Sequence, residues 1–149
     1  VEIEFSDLTL KLQSRLYFEE GTGTVRIERE ILEMSHPEAQ VEINEYMVAC
    51  YGTTEYPEDM NGIVLRCEGE DPKEIIYAYK CREESLADAD AVSAVIPAIE
   101  TKVSMEASKG GEGYVREGYA FSPMFTLGYK KKVADKEVFT TWLKLEKAN

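Results

Sequence analysis

The chain holds one histidine, three cysteines and twenty-nine Asp and Glu residues, and these groups bound the chemistry open to it. His36 stands alone before Pro37, and histidine is the commonest side chain for proton transfer near neutral pH and for metal ligation. It reads as a turn residue. Cys50, Cys67 and Cys81 contain no C-x-x-C pair and are odd in number, which indicates neither a zinc knuckle nor a complete disulfide framework. They read as small apolar residues, buried or half-buried. Serine and cysteine nucleophiles have no histidine beyond His36 to activate them. The carboxylate pairs Glu2 and Glu4, Glu28 and Glu30, and Asp88 and Asp90 are two residues apart, which on a strand only places both on one solvated face. A glycosidase-like pair needs carboxyls converging from different strands, and spacing cannot show that. No catalytic, metal-binding or cofactor-binding residue is assigned, and no cofactor is expected.

Three clusters remain. Glu55, Glu58, Asp59 and Asn61 have calcium-ligating types but lack the D-x-[DN]-x-[DN]-G order of a known loop. Gly110-Gly111-Glu112-Gly113 resembles a phosphate-binding loop in composition alone, because no G-K-[ST] and no helix follow, so it reads as a hairpin turn. Lys130-Lys131-Lys132 sits where a strand would alternate, with Lys131 pointing opposite to its neighbours, and Lys136 lies in the next turn. Lysines of this kind protect an exposed strand edge or meet an acidic surface. Lys130, Lys131, Lys132, Lys136, Glu55, Glu58 and Asp59 are therefore candidate subunit contacts.

The elements that must position these groups are mainly short strands. Val1, Ile3 and Phe5, then Leu8, Leu10 and Leu12, alternate with a slip at Ser6-Asp7, predicting a bulged or bent strand; a helix from an Asp7 cap is the second choice. Gly21-Thr22-Gly23 turns the chain into a hairpin with the strand around Val25 and Ile27. After His36-Pro37, residues 41–51 form a strand and 52–62 a long polar connection. Residues 63–67 and 74–81 are two further strands. Ser85 to Asp88 reads as a helix cap, and Leu86, Ala89, Val92 and Ile96 then share one helical stripe up to Pro97. Alternation resumes from Ile99 to Ala107, with a longer kinked helix to Ser108 as the alternative. The predicted fold is mainly β: an antiparallel β-sandwich or curled sheet of about nine strands, with one packed helix over about residues 86–96. Residues 1–149 read as a single domain, since no linker, repeat or low-complexity segment interrupts them.

The net charge of −12 argues against a nucleic-acid backbone or an anionic membrane as partner. Residues 109–149 nevertheless carry +3 while residues 1–108 carry −15. Complementary patches on neighbouring copies are one reading, and an ordinary solvated surface is the other. The first residues lack the basic start and apolar core of a signal peptide, so the cytoplasm is the default location.

Phe125-Thr126-Leu127-Gly128-Tyr129-Lys130, the basic turn with Lys136, and Phe139 to Trp142-Leu143-Lys144 are similar to a recurring hairpin of phage major tail (tail tube) proteins. The lead-in of a Gly-Gly turn, Val115 and Pro123 fits as well, and the resemblance covers about residues 74–147. It implies a non-enzymatic β-sandwich subunit of a homo-oligomer, self-assembling into stacked rings in a virion, with no sequence-specific nucleic-acid contact. The alternative is a small-ligand-binding β-domain or accessory subunit of an enzyme complex, its pocket lined by tyrosines and Trp142.

Overall fold

The computed structural model describes residues 1–4, 7–50, 62–76, 85–89, 91–108, 110–117 and 124–148. Their strands are β1 (Glu2–Glu4), β2 (Thr9–Glu19), β3 (Thr24–Met34), β4 (Val41–Cys50), β5 (Val64–Glu68), β6 (Lys73–Ile76), β7 (Ser85–Ala89), β8 (Ala91–Ile96), β9 (Thr101–Ala107), β10 (Glu112–Glu117), β11 (Met124–Val133) and β12 (Val138–Lys147). They form two antiparallel sheets, one of eight strands in the order β1-β2-β3-β12-β9-β8-β5-β6 and one of four in the order β4-β11-β10-β7. The mainly β, antiparallel sandwich read from the sequence is what the chain adopts.

One face of each sheet is apolar, and these faces meet. Ile31, Phe139, Met105, Val92 and Leu65 from the wide sheet belong to the same buried cluster as Val115, Phe125, Leu127 and Tyr129 from the narrow one. Burying such side chains contributes about 1.5–3 kcal/mol each. Cys67 is buried there too, and desolvation pushes its thiol pKa up. Toward one side, the Arg29 guanidinium of β3 reaches across to β4 and donates twice to the Glu45 carboxylate, at 2.8 and 3.0 Å.

The helix expected over residues 86–96 is absent; residues 85–89 and 91–96 are strands β7 and β8. Val92, Ala94 and Ile96 face the core while Ser93 opposes Arg66 and Ser104, so the segment follows a period of two. Pairing on both sides with β5 and β9 outweighs a helical stripe that Ala favours but Val and Ser support only weakly. Pro97 does end the strand, opening a short 3-10 turn over Pro97–Ile99. At the amino terminus the slip marks a reversal, because β1 pairs back onto β2 through Ile3 opposite Leu10. The bulge lies farther on, at Lys11–Leu12 against β3.

Two expected hairpins are crossovers between the sheets. The glycine-rich turn leads from β9 in the wide sheet to β10 in the narrow one, and a Cβ on Gly111 would stand 2.8 Å from the Tyr129 ring, so glycine makes room for that aromatic. Likewise β11 and β12 are joined by a tight turn yet do not pair: β11 lies between β4 and β10, β12 between β3 and β9. Asp135 accepts the amide of Met34, and the Lys136 ammonium donates to the Leu32 carbonyl, tying this turn to the end of β3.

Candidate functional site

Because the narrow sheet covers only one face of the wide sheet, the other face presents its alternate side chains outward in aligned rows. The register sets Tyr17, Arg26, Trp142, Glu106, Ala91 and Glu68 side by side across β2, β3, β12, β9, β8 and β5. The next row runs Thr24, Lys144, Ser104, Ser93, Arg66 and Glu74. Trp142 thus stands mid-sheet, half-buried, with a cation on one side and a carboxylate on the other.

Around it the polar groups are held by one another. The Arg26 guanidinium lies 4.1 Å from the centre of the Tyr17 ring and donates to Glu28 Oε1 at 2.9 Å, while the Tyr17 hydroxyl donates to Glu28 Oε2 at 3.2 Å. Arg15 pairs with Glu30 at 2.8 Å, and Lys144 pairs with Glu106 at 2.9 Å. Such partners fix rotamers that would otherwise be ordered only when a ligand arrives, which lowers the cost of binding. In the second row Ser93 is 2% exposed and its Oγ has no hydrogen-bond partner. Farther along, Arg66, Val95, Lys102, Glu146, Lys147 and Ala148 line a hollow of about 360 Å³, within the size range of small-ligand sites.

Chemically, the face combines an aromatic surface with planar guanidinium and carboxylate groups in fixed positions. Arg and Glu each offer two parallel hydrogen-bonding positions, the geometry that grips a pair of neighbouring hydroxyls. The aromatic face offers a platform for apolar C–H groups.

The residues singled out from sequence fall elsewhere. Lys130 and Lys132 project from the outer face of the narrow sheet, Lys130 Nζ lying 5.3 Å from the centre of the Tyr114 ring. Lys131 does point the other way: it pairs with Glu137 at 2.5 Å and stands 5.7 Å from the Phe139 ring centre. Edge protection is not their role, since β11 is an interior strand. Lys136 is held in the turn described above. Glu55, Glu58, Asp59 and Asn61 lie outside the described residues; among the described residues no group of His, Cys, Asp or Glu is arranged to hold a metal ion. His36 is an exposed turn residue just beyond β3, with Nδ1 3.4 Å from Glu38. Of the groups on that face, the sequence pointed to Trp142 through its aromatic character and to Glu28 and Glu30 as a pair. Arg26, Glu106 and Ser93 left no signal, and Lys144 stood out only in the hairpin pattern, because their grouping depends on which strands become neighbours.

No protein-family profile and no curated protein matches the sequence. Solved structures do match. A protein provisionally assigned as a mutarotase (YeaD) from Salmonella typhimurium aligns over 98% of this chain and 59% of its own, with a TM-score of 0.63 at 9% identity. A Synechocystis protein aligns over 94% of this chain and 54% of its own, with a TM-score of 0.55 at 13% identity. A protein provisionally assigned as an aldose 1-epimerase from Escherichia coli aligns over 98% and 68%, with a TM-score of 0.60 at 10% identity. The chain therefore spans less than two thirds of the length of the first two. Among the described residues no helix is long and apolar enough to cross a membrane.

These neighbours overturn the tail-tube expectation, and with it the stacked rings and the virion. The physical reason lies in the supposed hairpin: residue types that turn a chain do not decide whether its arms pair, and here they belong to different sheets. The chain shares its sandwich fold with the Salmonella typhimurium and Escherichia coli structures over 59% and 68% of their length.

Proposed function

We propose that the chain is a carbohydrate-binding β-domain, with the outer face of the wide sheet as its binding surface and aldoses as its ligand class. The carrying observation is the placement of Trp142 between Arg26 and Glu106, beside the Tyr17–Glu28 and Lys144–Glu106 contacts. The sugar's C–H face lies on the indole, and its neighbouring hydroxyls exchange hydrogen bonds with the Arg26 guanidinium and the Glu106 carboxylate. The fold shared with proteins assigned to aldose chemistry supports this ligand class over other polyols.

Trp142 is the chain's single tryptophan, so its fluorescence reports on the site directly. Titration with glucose, galactose and their disaccharides is expected to give a saturable change in emission, weakened at least about tenfold in Arg26→Ala, the loss expected when a charge-assisted hydrogen bond goes. Calorimetry on Trp142→Ala is expected to give no binding heat. If no aldose changes the emission of the folded wild-type chain, the reading fails.

A further inference from the structure

We infer that β4 is an interface through which two copies of this chain join into one continuous sheet. β4 is an edge of the narrow sheet, and among the described residues its backbone pairs with β11 alone. The other described edges are poor templates. β1 has three residues and β6 four, while β7 has five and is out of register with β10 between Gly113 and Val115. The part of β2 beyond β1 exposes Leu16 and Phe18 but carries Arg15 and Glu19 beside them, and charges on an edge deter pairing.

β4 has none of these defences. It runs for ten residues in unbroken register with β11 and contains no Pro, Gly, Lys or Arg. Its outward side chains include Tyr46 and Val48, 57% and 46% exposed. Of its two carboxylates, Glu45 is already neutralised by Arg29, which leaves Glu42 near one end. A long, largely apolar edge with no second partner among the described residues is the kind that recruits another strand.

The sequence of β4 also states which strand fits. A two-fold axis perpendicular to the sheet keeps outward residues outward, which allows two nine-residue antiparallel registers, centred on Glu45 or on Tyr46. The first sets Glu45 against its own copy. The second sets Tyr46 against Tyr46, Glu45 against Met47, Asn44 against Val48 and Ile43 against Ala49, so no carboxylates meet and an aromatic pair sits at the centre. A second copy of this chain is therefore the occupant, and the two narrow sheets become one.

Sedimentation equilibrium over a concentration series is expected to show a dimer for the wild-type chain. Tyr46→Lys and Tyr46→Glu each bring like charges together at the axis, and each is expected to weaken dimerisation at least about tenfold. Tyr46 is exposed, so both variants should keep the wild-type circular dichroism and, at concentrations low enough for the wild type to be monomeric, its unfolding midpoint. An equimolar mixture of the two is expected to recover the dimer, now with Lys facing Glu. A wild-type chain that stays monomeric throughout the series overturns the proposal, as does a dimer that neither single variant weakens or a mixture that stays monomeric.

Discussion

The two sheets each turn an aromatic residue outward in the company of cations, and they use it in opposite ways. On the wide sheet Trp142 is half-buried in an open row. On the narrow sheet Tyr114 is 5% exposed: its ring lies over Gly128, its hydroxyl donates to Asn44 Oδ1 at 3.0 Å, and Lys130 and Arg116 flank it at 5.3 and 5.9 Å. The narrow face is finished by its own residues. The wide face leaves the Trp142 ring open, while its charged neighbours are paired among themselves and the unpartnered Ser93 hydroxyl is buried. An aromatic beside charges is thus accessible from outside only where its own ring is not covered by its neighbours.

The contrast can be broken most severely at Gly128. A Cβ there overlaps the Tyr114 ring, so Gly128→Ala must lift the aromatic off the sheet and is expected to destabilise the chain by about 3 kcal/mol in urea unfolding, the upper range for overpacking. Sugar binding by the opposite face of the molecule should survive in the folded fraction. A milder pair of changes tests the two hydroxyls. Tyr114→Phe removes the hydrogen bond to Asn44 and is expected to cost up to about 1 kcal/mol, whereas Ser93→Ala removes an unpartnered buried hydroxyl and is expected to gain up to about 1 kcal/mol. Matching signs for the two would remove the distinction between a partnered and an unpartnered hydroxyl.

The smallest effect concerns the turn that joins the sheets. Hydrogen bonds from Lys131 and then from the Ala134 amide hold the Glu137 carboxyl below its ordinary pKa. Its contribution to stability is complete above that ordinary value of 4.5 and disappears as pH falls through the depressed one. Glu137→Gln is therefore expected to show a shallower loss of unfolding midpoint on acidification than the wild type, with the two chains converging at low pH.

What was legible in the sequence follows from the range of each interaction. Alternation in β2, β3 and β9 is local, and it marked them as strands. The same alternation in β8 was masked because Ala, Val and Ile at positions 89, 92 and 96 also satisfy a helical stripe, and only pairing with β5 and β9 decides between them. Turn chemistry at Asp135 and Lys136 is equally local, so the reversal was readable while the fate of its two arms was not. The candidate site is the least local feature. Arg26 and Glu28 looked like a solvated face of one strand, and they become part of a surface around Trp142 only because β12 inserts between β3 and β9.

That insertion also shapes how the chain reaches its fold. The strands of the narrow sheet, β4, β7, β10 and β11, are interspersed along the sequence with those of the wide one, and β12 closes the centre of the wide sheet last. Neither layer exists as a continuous stretch of chain, so neither can assemble and wait for the other. The pairings that close the wide sheet join strands far apart in the chain, which slows folding for the chain's length, and unfolding is expected to release both layers in a single cooperative step.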